Sequence, residues 1–110
     1  VSWLSHYLGE HAPGLNNLSS AVKTMHNILL AHGMSLQALR SNGNNEIGIV
    51  LNNEYPEAFN DDPKNIQAAK LFDDIYNRWF SDAIFKGSYP ELALNILEKY
   101  LLEPINVYSR

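Results

Sequence analysis

A long apolar stripe in the first half of this sequence limits the folds that it can adopt. From Leu18 onward, a set of mostly apolar side chains returns every three or four residues, which is the spacing of one helix face. The set comprises Val22, Met25, Ile28, Leu29, His32, Leu36 and Leu39. Ser19 or Ser20 is the predicted N-cap, because a serine hydroxyl can accept a hydrogen bond from the first turn, and Asn42-Gly43 is the predicted stop. The pattern predicts one long amphipathic helix.

A short branched run follows this helix. The residues Ile-Gly-Ile-Val-Leu stand between Glu46 and Asn52, with asparagines close on both sides. Such a run is mostly branched and short, so it favours a buried parallel strand over a helix. A helix, a turn and then a strand indicate the α/β class.

Two further helices are predicted in the second half. A polar loop leads to Asp61-Asp62, and Pro63 suits the first helical turn, where its missing N–H costs nothing. The apolar stripe of this second helix is Ile66, Ala69, Phe72, Ile75, Trp79 and Phe80. The helix should end near Gly87. A third helix is predicted from about Pro90 to Leu102, and it has too many apolar residues for one narrow face, so other structure should cover it.

Composition excludes several classes of function. The chain has 110 residues, of which 12 are acidic and 8 basic, for a net charge of -4, and the charges are scattered. No basic face invites nucleic acid. The absence of cysteine removes disulfides, thiolate metal sites and a cysteine nucleophile, and it fits a reducing cytoplasm. No apolar run approaches the ~18 residues of a membrane span, so we expect no membrane partner.

The four histidines do not form a recognisable metal motif. His6, His11, His26 and His32 show neither the His-Glu-x-x-His pattern nor a pair four residues apart with an acidic third ligand. We therefore predict no metal site. His26 and His32 are interpreted as hydrogen-bonded helix residues with a structural role.

Four motifs together resemble one enzyme family. They are the Gly9-x-His-Ala-Pro-Gly14 turn, Ile47-Gly-Ile49 with Asn52, Asn77-Arg-Trp-Phe80, and Gly87-Ser-Tyr-Pro90. Their order and rough spacing resemble those of the family 1 glycoside hydrolases, the β-glucosidases and their relatives. That resemblance implies a (β/α)8 barrel, which needs about 250 residues or more. Residues 1–110 would then be one partial barrel domain, running from after strand four through strand six.

The resemblance also implies an activity, the retaining hydrolysis of terminal β-D-glucosidic bonds without a cofactor. The family carries its acid/base in a Thr-x-Asn-Glu-Pro segment and its nucleophile in a Thr-Glu-Asn-Gly segment, and neither occurs here. Asn53-Glu-Tyr-Pro56 is only superficially similar, because it follows the predicted fifth strand and Tyr55 interrupts it. Asp73-Asp74 is interpreted as a solvated helix face. We therefore assign no catalytic residue and expect the isolated chain to be inactive.

Five residues are implied as substrate-binding. By the resemblance, Leu4 and His11 line the aglycone side of the cleft, and Asn52 faces the aglycone subsite from the end of strand five. Asn106 and Tyr108 would stand at the end of strand six, with the Tyr108 phenol donating a hydrogen bond to the nucleophilic carboxylate. Two alternatives remain open: His11 as a packed loop histidine, and Asn52 as a cap of the strand end or of a turn.

The C-terminal motif departs from the family pattern. Val107 replaces an expected tyrosine, and Glu103-Pro104 runs almost directly into Ile105-Asn106, which shortens the predicted sixth strand. A different class of function therefore stays open. The chain could be a truncated, non-catalytic α/β module that self-associates or binds a partner, because an exposed barrel core offers an apolar patch and open strand edges.

Overall fold

The computed structural model describes residues 2–102, which are helical apart from turns and irregular connecting segments. Four α-helices and two π-helical turns follow one another in the order π1 (Trp3–Tyr7), α1 (Leu18–Ser41), α2 (Pro63–Asp73), π2 (Asp74–Arg78), α3 (Trp79–Phe85) and α4 (Glu91–Leu102). Within residues 2–102 the chain divides into two compact units, one of residues 2–45 with 97–102 and the other of residues 46–96. The boundary falls inside α4. The three predicted helical regions are confirmed, the second of them divided by π2.

The strand predicted between Glu46 and Asn52 is not formed. Residues 43–58 carry neither helix nor strand in the structure. A strand requires a neighbouring strand to accept and donate its backbone hydrogen bonds, and no other part of residues 2–102 pairs with this run. Its apolar residues consequently do not reach a core: Val50 is 96% exposed. The short, branched run favoured a strand, but the pairing that would make it one is absent from the described residues.

The N-cap of helix α1 lies two or three residues earlier than predicted. Asn17, not Ser19 or Ser20, is the N-cap, with an extended backbone and a side-chain oxygen that accepts a hydrogen bond from Ser20 N at 3.0 Å. Asparagine caps as well as serine does, and only the backbone conformation at residue 17 decides between them. The predicted stop is confirmed, because Asn42 forms the C-cap.

The apolar stripe of α1 is buried only in its first half. Ala21, Val22 and Met25 are buried, whereas Ile28 and Leu39 are 41% and 56% exposed. Helix periodicity identifies the face that can be buried, but a packing partner decides whether it is. The unit of residues 2–45 and 97–102 also contributes Leu97, which is 2% exposed.

The second unit is built around Trp79. Helix α2 starts where the Asp62 carboxylate accepts a hydrogen bond from Lys64 N at 2.9 Å, with Pro63 in the first turn as predicted. Trp79 at the start of α3 is fully buried and stacks on Tyr89, with ring centroids 3.8 Å apart and planes 15° apart. Burial raises the pKa of the Tyr89 phenol. Helix α3 ends just before Gly87, which also agrees with the sequence prediction.

Candidate functional site

The structure brings Leu4 and His11 together through the backbone. The carbonyl oxygen of Leu4 accepts hydrogen bonds from Glu10 N at 2.8 Å and from His11 N at 3.2 Å. This carbonyl lies in π1. The last turn of any helix leaves carbonyl groups without a donor from the helix itself. The turn that carries His11 supplies the missing donors. Leu4 and His11, which are predicted to share the aglycone wall, are thus neighbours because the His11 turn donates hydrogen bonds to the Leu4 carbonyl.

The next carbonyls of π1 are satisfied in the same way. Ser5 O accepts a hydrogen bond from Leu15 N at 2.9 Å, and His6 O accepts one from Asn17 N at 2.8 Å. The chain therefore folds back along the end of π1 before it enters α1 at its N-cap. This arrangement ties the turn between residues 9 and 14 to π1 on both sides, so the position of His11 is fixed by backbone contacts on each flank.

A tight approach closes the turn at Gly9. The backbone of Gly9 has φ +74°, and an added Cβ would lie 2.9 Å from the amide of Asn16 and 3.2 Å from Leu15 O. The Asn16 amide satisfies the carbonyls of Tyr7 and Leu8, at 3.1 and 3.0 Å, when its nitrogen faces them. Glycine is therefore required here both by the left-handed backbone and by the space that the Asn16 amide occupies.

The side chains of this turn face different surroundings. His11 is exposed and Leu4 is half-buried. Gly14 N donates to His11 O at 2.7 Å, which closes the turn behind the imidazole. A neutral imidazole offers one donor and one acceptor, so an exposed His11 can pair with a hydroxyl group.

Asn52 lies in the other unit and is exposed. Two residues later the backbone is held by a side chain: Asn77 Oδ1 accepts a hydrogen bond from Glu54 N at 3.0 Å, and Asn77 Nδ2 donates to Glu54 O at 2.6 Å. This pair of bonds is what a neighbouring strand would supply to an extended residue. Sequence analysis missed it, because a spacing of 23 residues carries no periodic signal, although Asn77 stands in one of the quoted motifs.

A carboxylate and a guanidinium hold Asn77 in place. Asn77 Nδ2 also donates to Asp73 Oδ1 at 2.7 Å, and Asp73 Oδ2 accepts from Arg78 Nε at 2.7 Å. The hydrogen bond from Asn77, followed by the hydrogen bond and charge of Arg78, outweighs desolvation and lowers the pKa of Asp73. Asp73 is therefore ionised at neutral pH and acts as an acceptor toward both neighbours.

The interpretation of Asp73-Asp74 as a solvated face is wrong for Asp74. Asp74 is only 5% exposed, and desolvation raises the pKa of its carboxyl group. The two adjacent carboxyl groups thus have opposite shifts, because one is hydrogen-bonded at the surface and the other is removed from water. The π-helical stretch that follows alters the helical phase, which a regular period could not predict.

The structure adds no metal centre to this picture. Within residues 2–102, no three histidine or acidic side chains gather closely enough to hold a metal ion. None of the helices in that range combines the length and the apolarity that crossing a membrane requires. The two remaining predicted site residues, Asn106 and Tyr108, lie outside the described residues.

Comparison with known proteins identifies the family. The profile of glycosyl hydrolase family 1 matches residues 1–106, and the chain belongs to this family. It is 39% identical over 104 residues to beta-glucosidase A of Acetivibrio thermocellus, a match covering 94% of this chain and 23% of that enzyme. The 6-phospho-beta-galactosidase of Leptotrichia buccalis is 36% identical over 88 residues, which cover 76% of this chain and 19% of that protein.

A solved structure gives the same result. The beta-glucosidase from Thermotoga maritima in complex with deoxynojirimycin superimposes with a TM-score of 0.85 at 34% identity, covering 92% of this chain and 23% of that one. The chain therefore spans less than a quarter of the length of these relatives. Its helices match a segment of the barrel of family 1 glycoside hydrolases, which confirms the family prediction. The finer assignment, from after strand four through strand six, stays a prediction.

Proposed function

We propose that this chain is part of a retaining β-glucosidase that hydrolyses terminal β-D-glucosidic bonds, and that its own role is to shape the aglycone side of the cleft. The observation that carries the proposal is family membership over residues 1–106, together with 39% identity to a beta-glucosidase. Retaining hydrolysis proceeds by double displacement through a glycosyl-enzyme and needs no cofactor.

The proposal assigns binding, not bond cleavage, to this chain. Retaining glycosidases need two carboxyl groups about 5–5.5 Å apart, one as acid/base and one as nucleophile. The Thr-x-Asn-Glu-Pro and Thr-Glu-Asn-Gly segments that carry them in the family are absent from the 110 residues. The purified chain should consequently show no turnover of an aryl β-glucoside, and measurable turnover that follows the 110-residue species through purification would contradict this clause.

Leu4 and His11 are proposed to form one wall of the aglycone subsite. Support comes from the hydrogen bonds of Glu10 N and His11 N to the Leu4 carbonyl, which keep the two residues adjacent. The half-buried Leu4 side chain offers apolar surface to an aryl aglycone, and the exposed His11 imidazole offers a donor and an acceptor to a sugar hydroxyl. An aglycone can thus be held by one apolar and one polar contact.

Asn52, Asn106 and Tyr108 complete the proposed set. Asn52 is exposed, as a residue that reaches substrate must be, and an amide can both donate to and accept from a hydroxyl. Asn106 is proposed to face the same site. Tyr108 is proposed to donate its phenolic hydrogen to the nucleophilic carboxylate, which would keep that carboxylate ionised and oriented.

A chimaera tests the proposal directly. Residues 1–106 of this chain would replace the matching segment of beta-glucosidase A of A. thermocellus, and the product would be assayed on aryl β-glucosides. We expect activity, and a folded but inactive chimaera would overturn the assignment. In the chimaera His11→Ala should raise KM several-fold with kcat nearly unchanged, because an aglycone contact made equally in ground and transition states affects binding alone. His32→Ala is the matched control, and equal KM values for both variants would contradict the role of His11.

A second candidate, self-association of the chain, is favoured by its exposed apolar side chains. Within residues 46–96, Val50, Tyr55 and Phe59 are 96%, 92% and 91% exposed. Exposed apolar side chains that lie together as one patch mark an interaction surface. Sedimentation equilibrium over a range of concentrations distinguishes the candidates: a monomer at all concentrations contradicts self-association, and a mass that rises with concentration and falls in Val50→Ser or Phe59→Ser supports it.

A further inference from the structure

The backbone of the irregular segment that carries Asn52 is held by the side chain of Asn77. Among the hydrogen bonds of residues 2–102, the backbone of residues 44–58 is tied to a helix by two, and both go to the amide of Asn77. They reach Glu54, whose N–H and C=O are 3.0 and 2.6 Å from Asn77 Oδ1 and Nδ2. The segment lacks a strand partner in this part of the chain, and the hydrogen bond from Tyr76 Oη to the Glu54 side chain, at 3.5 Å, is much longer. The Asn77 amide is therefore the main anchor of its backbone.

The orientation of the Asn77 amide is itself determined. Its oxygen accepts from Glu54 N, and its nitrogen has two hydrogens, one for Glu54 O and one for Asp73 Oδ1 at 2.7 Å. The amide therefore uses its two donor hydrogens and one acceptor site. Arg78 Nε, 2.7 Å from the other oxygen of Asp73, orients the carboxylate in turn. A rotated amide would place like groups against one another, so the amide has one favourable orientation.

We propose that Asn77 is a positioning residue for the aglycone subsite: by clamping the backbone of Glu54, it fixes where the Asn52 amide stands. Only Asn53 lies between Asn52 and Glu54 in the sequence, so these two residues are at most about 7 Å apart along an extended chain. That distance is too short for Asn52 to move freely once Glu54 is held. The inference rests on the proposed function, because it requires Asn52 to contact the aglycone. Asn77 touches no substrate in this scheme and acts only through Asn52.

The clamp is tested first in the 110-residue chain, by hydrogen exchange of the Glu54 amide. Asn77→Ala should speed that exchange about tenfold, which corresponds to the loss of one net hydrogen bond. Asn65→Ala is the matched control, because the Asn65 amide bonds Asn60 at 2.7 Å and not residues 44–58. Unchanged exchange in Asn77→Ala would overturn the clamp. If that variant does not fold, Asn77→Leu keeps a side chain of similar size but removes both the acceptor for Glu54 N and the donor to Glu54 O, and should speed exchange in the same way.

The functional clause is tested in the chimaeric enzyme with aryl β-glucosides. Asn52→Ala and Asn77→Ala should raise KM by a similar several-fold factor with kcat little changed, and the double variant should be no worse than either single one, because Asn77 acts through Asn52. Asn65→Ala should behave as the parent chimaera.

The outcomes separate the two proposals. An effect of Asn52→Ala without an effect of Asn77→Ala overturns the positioning role and leaves the function intact. No effect of Asn52→Ala overturns the assignment of Asn52, and with it the role of Asn77. Additive effects in the double variant show that Asn77 acts by another route, which also overturns the inference.

Discussion

The turn that carries His11 depends on Gly9, and substitution of this glycine is expected to be the most damaging single change in that turn. Gly9→Ala adds one methyl group where φ is +74° and where the new Cβ would lie 2.9 Å from the Asn16 amide and 3.2 Å from Leu15 O. Leu15 O is a backbone atom, and the nearby Leu15 N and Asn17 N donate to Ser5 O and His6 O, so its displacement strains these hydrogen bonds. The substitution thus combines a conformational cost with a steric one.

Two other glycines separate these costs. Gly14 has nearly the same φ, +73°, but its nearest contact would be Gly9 O at 3.8 Å, an ordinary distance. Gly14→Ala should therefore cost only the left-handed backbone, about 1–2 kcal/mol. Gly9→Ala adds the cost of forced displacement, about 1–3 kcal/mol, and should total roughly 2–5 kcal/mol. Gly33 lies in α1 with nothing within 4 Å of an added Cβ, so Gly33→Ala should stabilise by about 0.5–1 kcal/mol.

Urea unfolding followed by far-ultraviolet circular dichroism measures the series. The expected order of the free energy of unfolding, from lowest to highest, is Gly9→Ala, Gly14→Ala, the unchanged chain and Gly33→Ala. Equal losses for Gly9→Ala and Gly14→Ala would refute the reasoning, because the approach of Asn16 and Leu15 would then cost nothing. A loss of unfolding free energy in Gly9→Ala alone, with none in Gly14→Ala, would instead refute the expected cost of a left-handed backbone.

Three further predictions concern other parts of the chain. Asn17→Ala should lower the free energy of unfolding by about 1 kcal/mol through loss of the α1 cap, whereas Ser19→Ala should leave it nearly unchanged, both measured by urea unfolding. Asp74→Asn should stabilise the folded chain at pH 7, because burial raises the pKa of Asp74 and an ionised carboxylate there opposes folding. This gain in stability should fade as the pH falls through the folded pKa toward the unfolded value near ~4. A gain that does not depend on pH would contradict this cause. In thermal unfolding, the free energy of unfolding of Trp79→Phe should stay within about 1.5 kcal/mol of that of the unchanged chain. The reason is that this substitution removes an indole N–H that is buried without a hydrogen-bond partner in residues 2–102. Trp79→Ala should instead lower the free energy of unfolding by about 3–5 kcal/mol.

The helices of this protein were predictable because local sequence determines them. Apolar residues at helical spacing, Pro63 after a capping carboxylate, and the stop at Asn42 each act within a few residues of the backbone that they affect. The N-cap at Asn17 was the exception, because three polar residues within four positions can all cap and only the backbone entering α1 selects one.

The candidate site was predictable only in part. Motif resemblance was enough to name His11 and Asn52, and the family to which they point is confirmed. It could not reveal that Glu10 and His11 bond the Leu4 carbonyl, or that Asn77 holds Glu54. In both contacts a backbone group bonds a group that is distant in sequence or that follows no regular spacing. Neither contact changes the spacing of apolar residues, so a search for periodic patterns does not detect it.

The sequence by itself determined the family, the helical segments and the residues able to form apolar faces, because these follow from motif order and from interactions between near neighbours. Only the tertiary structure decided which of those faces are buried: Met25 lies in a core while Met34 is 70% exposed on the same helix. It also decided that residues 46–52 lack a strand ladder within the described chain and that Asp74 is desolvated beside an ionised Asp73. Burial, strand pairing and pKa depend on groups brought close by the folded chain, and the distances between those groups are not written in the order of the residues.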